Sequence, residues 1–200
     1  MNTDQLHERV ALFPLHTVLF PGCTLPLKIF EQRYLRLVKT CLQNETGFVV
    51  VLISAGKEVG ERPEVFTVGC YVDIVDWEPL DNGLLGITIE GRHRVAIAKP
   101  CAQDDGLLMA QVKPLHDEIT SQPLLLEEYS DLVDTLKHLE QHPFISSQKM
   151  RFNYNNCLDV CNKLSYLLPT SNQVRQSLLE MDGLEQRMQV LRTTIAQLQT

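Results

Sequence analysis

Residues 12–34 read LFPLHTVLFPGCTLPLKIFEQRY, and this stretch constrains the fold more than any other. It is apolar enough for a core, yet three prolines and a glycine interrupt it. Proline removes a backbone donor and breaks a helix interior, so neither a membrane span nor a long core helix fits. The segment instead reads as strand, corner, strand and helix start. Val10 to Leu15 and Leu25 to Ile29 flank the Phe20-Pro21-Gly22 corner, where proline sets φ and glycine permits the tight turn.

The chain continues in two textures. Up to about Leu115 it carries short β-type runs. FVVVLIS from Phe48 to Ser54 is almost continuously apolar, which predicts a strand buried on both faces. Val65 to Trp77 alternates: Phe66, Val68, Cys70, Val72 and Ile74 share one face, and Tyr71, Val75 and Trp77 the other. A turn at Pro79 to Gly83 returns the chain into LLGITIE, Gly91 permits a bend before RVAIA, and DDG at 104–106 leads into LLMAQV. Strands at this spacing predict a small barrel or sandwich. One amphipathic helix interrupts them, expected over Phe30 to Leu42. After Gln122 the pattern becomes helical, with helices expected over Pro123 to His142, Met150 to Leu168, a short one capped by Ser171 or Asn172, and Leu184 to Leu198. The expected division is a β lobe over 8–115 and a helical lobe over 120–200.

Charge and composition narrow the function. The net charge is -7 and both halves are acidic, which disfavours a polyanion partner such as nucleic acid. No apolar run reaches the ~18 residues that span a bilayer, so no membrane partner is expected. The N-terminus shows no secretory signal, and the six cysteines lie mostly inside apolar patterns without a C-x-x-C pair. That is the pattern of reduced, buried thiols in a cytoplasmic protein.

The motifs nearest to catalytic or metal-binding patterns favour structural roles. Gly56-Lys57-Glu58-Val59-Gly60 lacks the Ser or Thr of a phosphate loop. Cys23 with His16 is the only thiol–imidazole pair close together near a loop, and nothing in the sequence lowers the thiol pKa. Cys157 and Cys161, one helical turn apart, would need His138 and His142 from the preceding helix to complete a zinc site, so core cysteine is the expected role. No metal and no cofactor are expected. Arg33, with Arg92, His93 and Arg94 of EGRHR, presents a candidate anion or polar contact, weighed against local pairing with carboxylates and carbonyls. Trp77, with Tyr71, Leu80 and Leu84 around the second hairpin, presents a candidate apolar platform for a protein partner, weighed against packing under the helical lobe.

Several segments together resemble a known family. LFPLHTVLFPG…LPLKIFEQRY, VGCYVDIVDWEPLDNGLLGITIEGRHRV and LPTSNQVRQSLLEMDGLEQRMQVL are similar to the N-terminal substrate-recognition domain of Lon proteases, in particular its short stand-alone bacterial form. The resemblance implies an α+β fold: a twisted β pseudo-barrel of PUA-like type with one inserted helix, followed by a helical bundle. It also implies protein or unfolded polypeptide as partner, and it leaves homo-oligomerisation open. Neither the phosphate loop nor the Ser–Lys dyad motif of the full protease occurs in these 200 residues. The expected function is therefore a non-catalytic module that binds exposed apolar segments. The alternatives are an RNA-binding PUA-like module and, behind it, a thiol hydrolase using Cys23.

Overall fold

A computed structural model of the chain describes residues 9–58, 63–81, 84–117, 127–148 and 150–198. The strands are β1 (Arg9–Leu15), β2 (Thr24–Ile29), β3 (Phe48–Ala55), β4 (Glu64–Val65), β5 (Val68–Pro79), β6 (Leu85–Ala102) and β7 (Leu108–Pro114). The helices are α1 (Gln32–Asn44), α2 (Ser130–Glu140), α3 (Pro143–Ser147), α4 (Cys157–Leu167), α5 (Asn172–Glu180) and α6 (Leu184–Leu198). The fold is α+β.

Strand pairing runs β1-β7-β6-β5-β3-β4, and β1 also pairs in parallel with β3. The pairings β1–β7–β6–β5–β3–β1 thus form a closed circuit. β2 lies off it, paired with β6. Alternation along β3 divides its residues between two cores, as its unbroken apolar run predicts. Phe48, Val50 and Leu52 join the larger core, which also takes in the helices. Val49 and Val51 join Leu12, Val95, Ile97, Leu108 and Ala110 in a smaller one.

The local signals place most boundaries and misplace others. α1 begins at Gln32, so Phe30 stays outside the helix and is 57% exposed. Burial falls instead on Tyr34, Leu37, Val38 and Cys41. α4 starts at Cys157, because the Asn156 side chain accepts from Leu158 and Asp159 N–H and caps the helix there. Ser171 caps α5 through Val174 N–H. The first part of the helix expected from Pro123 falls partly outside the described residues.

Gly91 does not end a strand. β6 runs through it, and the strand's irregularity falls at Arg92, between the pairs Tyr71↔His93 and Val72↔Gly91. Glycine is required at 91 by contact: a Cβ there would lie 2.3 Å from the Phe20 carbonyl oxygen. The Phe20-Pro21-Gly22 corner presses onto that point, with Gly22 N–H donating to the Gly91 carbonyl (2.8 Å) and Gly91 N–H to that of Cys23 (2.9 Å).

The helical half docks on the same corner. Lys163, 1% exposed on α4, donates to the Gly22 carbonyl and to Asp159 Oδ1 (3.1 Å). Tyr166 Oη donates to the Thr24 carbonyl (3.1 Å), Thr24 Oγ1 to that of Gln148 (3.3 Å), and Gln176 Nε2 to that of Val68 (3.1 Å). The prolines and the glycine of the opening stretch therefore expose backbone carbonyls to side chains of the helices. A buried lysine head needs such acceptors, because desolvating its charge without them is costly.

Candidate functional site

Past Val72, β5 loses its neighbour β3, whose last pairing is Phe48↔Val72. Among the described residues, Asp73 to Pro79 then pair only with β6. Val75, Asp76, Trp77, Glu78 and Pro79 are all exposed, so this end of the sheet stands out as a ribbon. Trp77 is 57% exposed and Val75 45%. Trp77 is not covered by the helical half.

The ribbon carries a bulge. Ile74 faces Ile89 and Asp76 faces Thr88, leaving Val75 without an opposite residue. An extra residue inverts the parity of everything after it. Simple alternation places Trp77 with Tyr71; the register places it opposite Ile87, on the face of Ile74 and Ile89. Ile87 in turn faces Leu27 of β2, so Trp77, Ile87 and Leu27 form an apolar row across three strands. Leu80 belongs to the other face, its side chain lying over Gly86, where an added Cβ would meet it at 3.3 Å. Leu84 is half-buried and its carbonyl accepts from Leu80 N–H (2.8 Å). Asn82 and Gly83 of the expected tip lie outside the described residues. A groove of about 400 Å3 at this end is lined by Trp77, Leu80, Glu78, Gly86, Leu27 and Lys28 among others.

Tyr71 sits apart from the ribbon. Its hydroxyl accepts from Gly47 N–H (2.7 Å), and its ring stacks on His93 with centroids 5.1 Å apart. Burial holds the His93 imidazole below its ordinary pKa. The four residues proposed for an anion or polar contact do not converge. Arg33 binds the Gly106 carbonyl and Glu31 (both 2.8 Å), and Arg92 binds Asp73 (2.7 Å) and Glu90 (3.2 Å). Arg94 is 0% exposed. It donates to the carbonyls of Leu179 (2.8 Å) and Met181 (3.1 Å) and to Asp117 Oδ1 (2.8 Å). Arg187 of α6, equally buried, shares that carboxylate oxygen. Arg33 and Arg92 pair with neighbours on the surface, whereas Arg94 pairs with Asp117 and the end of α5 and has no route to a ligand in solvent.

Sequence reasoning missed Asp117, Arg187 and Lys163. The Asp159/Lys163 spacing of four on a helix was a legible signal for one of them. Asp117 and Arg187 gave none, because their partners are distant in sequence.

The thiols are placed for packing. Cys23 is fully buried and donates to the Asn162 carbonyl (3.8 Å), and burial raises its pKa to about 12. Burial likewise raises Cys161, to about 11, and Cys41, Cys70 and Cys157. Raised thiol pKa means a neutral, unreactive thiol at physiological pH. In the native protein at pH 8, a water-soluble thiol reagent is expected to modify half-buried Cys101 first, and the other five only on unfolding. Rapid native modification of Cys23, read by peptide mapping, would contradict this assignment. Among the described residues no group of three His, Cys, Asp or Glu is arranged to hold a metal ion, and no helix is long and apolar enough to cross a membrane.

Comparison with known proteins places this geometry. Residues 9–197 match the family described as the ATP-dependent protease La (LON) substrate-binding domain. The Lon protease of Bacillus thuringiensis (strain Al Hakam) is 22% identical over 202 residues, aligning 96% of this chain and 24% of its own length. That of Cytophaga hutchinsonii is 26% identical over 198 residues, with 94% and 24% covered. The chain thus spans about a quarter of the length of the curated relatives it matches. Among solved structures, the Lon N-terminal domain protein from Xanthomonas campestris superposes with a TM-score of 0.73 at 28% identity, covering 93% of this chain and 98% of that one. The N terminal domain of Mycobacterium avium complex Lon protease, at 15% identity and a TM-score of 0.67, covers 92% and 96% and shares the fold.

Proposed function

The chain belongs to the family of Lon substrate-binding domains, and from that premise we propose that it is a non-catalytic module that binds exposed apolar segments of polypeptides. The observation that carries the reading is the family match over residues 9–197. Trp77 supports it: a large aromatic held on a protruding ribbon contributes little to folding and much to contact with a partner. Burying one such side chain contributes about 1.5–3 kcal/mol, so one or two anchors support weak, transient capture, which suits a module that must release its clients.

The acidic charge of the chain weighs against the RNA-binding reading, and the burial of Cys23 against the thiol hydrolase. The test is capture of labelled casein by fluorescence anisotropy, with intact casein expected after incubation with or without ATP. Trp77→Ala is expected to weaken capture about tenfold or more. Its folding stability should change by no more than about 0.5 kcal/mol, as at other exposed positions. Absence of casein binding by the folded wild-type chain would overturn the reading, as would casein cleavage that one substitution in this chain abolishes.

A further inference from the structure

Among the described residues, the side of β5 away from β6 is an unpaired strand edge from Asp73 to Pro79, and its side chains say what it admits. The bond from Leu80 N–H to the Leu84 carbonyl (2.8 Å) sets the phase of the ladder. In that phase Glu78 and Gly86 bond to each other, while Trp77 and Pro79 turn their backbone groups outward. Proline has no N–H to offer. The Trp77 N–H, facing away from β6, donates to Asp76 Oδ1 (2.9 Å), a stand-in for a missing strand. The usable edge is therefore short, bounded by the bulge at Val75 and by Pro79.

Charge then selects the occupant. Asp76 and Glu78 are exposed, and among the described residues neither has a cationic partner. A second copy of this strand laid alongside would bring carboxylates opposite carboxylates, which disfavours self-pairing. A cationic segment meets the opposite situation.

Resting on the polypeptide-binding reading above, we infer that the client adds as a short extended strand along Asp76–Trp77–Glu78, presenting an apolar residue to Trp77 between two Lys or Arg residues. The client residue opposite Trp77 exchanges both backbone bonds with it and displaces Asp76 Oδ1 from the Trp77 N–H. The freed Asp76 carboxylate and that of Glu78 then face the flanking cations across the new pair. On the face opposite those carboxylates, the client's central side chain extends the row of Trp77, Ile87 and Leu27 by one strand. Main-chain bonds supply affinity here and alternate side chains supply selectivity.

The chain's only tryptophan reports directly on this edge. Titration of its fluorescence is the experiment, using tryptophan-free eight-residue peptides with Lys-Phe-Lys, Ser-Phe-Ser or Glu-Phe-Glu at the centre and serine and threonine elsewhere. The Lys-flanked peptide is expected to bind about tenfold tighter than the Glu-flanked one at low salt, with the gap narrowing as salt rises. Methylating the backbone nitrogen of its Phe should weaken it a further several-fold, because that N–H bonds the Trp77 carbonyl. Asp76→Lys with Glu78→Lys, both exposed, should invert the preference. Equal affinities for the three peptides, or no inversion in the double variant, would overturn the inference while casein capture left the broader reading standing. Failure of both casein and all peptides to bind would overturn the two together.

Discussion

Asp117→Ala is expected to lower the stability of the protein by about 3–5 kcal/mol, the loss typical when one member of a buried ion cluster is removed. Two guanidinium groups, those of Arg94 and Arg187, are 0% exposed and share the Asp117 Oδ1 atom. Arg94 retains the Leu179 and Met181 carbonyls, and Arg187 retains Asn162 Oδ1 at 3.5 Å, but none of these carries charge. Among the described residues, the other carboxylate within reach of Arg94 is Asp182, 3.7 Å away and 89% exposed, so solvent screens it. Asp182→Ala is accordingly expected to change stability by less than about 1 kcal/mol. Urea unfolding of both variants separates these values. A loss below about 1 kcal/mol for Asp117→Ala would show that the two arginines do not depend on it.

The second large effect is expected at the proline corner. Phe20 is 0% exposed, and its carbonyl accepts from Cys23 N–H (3.1 Å) in the turn pressed against Gly91. Phe20→Ala should cost about 3–5 kcal/mol, the range for deleting a buried aromatic side chain. The corner also holds Lys163 of α4, and one continuous core draws on strands and helices alike. The loss should therefore appear at one midpoint in two probes: helical circular dichroism, dominated by 127–198, and the fluorescence of Trp77 on the ribbon. Separate midpoints in the two signals would mean that strands and helices unfold as independent units.

Much of the fold was legible because it rests on local physics. The unbroken run of β3, the Ser171 cap of α5 and the Pro21-Gly22 turn are each decided by a few neighbouring residues, and the structure places them as the pattern predicts. The ribbon left a trace as well, since DWEP combines charges and a proline around a large aromatic, the composition of a guarded strand edge. What the pattern could not show was the face on which Trp77 lies. A bulge is a relation between two strands, and nothing in Val75 itself announces that it will lack a partner on β6.

The sequence by itself determined the element types, the corner in the opening stretch and the acidic character of the exposed edge, all consequences of side-chain chemistry acting within a few residues. Tertiary structure alone decided which cations are buried. Arg92 and Arg94 stand two apart in EGRHR, yet one remains at the surface with Asp73 and Glu90. The other is enclosed with Asp117, Arg187 and the end of α5. The physical reason is that burial depends on segments more than 80 residues away, as the 85-residue separation of Arg94 and Leu179 shows, and no local pattern encodes what will cover a side chain.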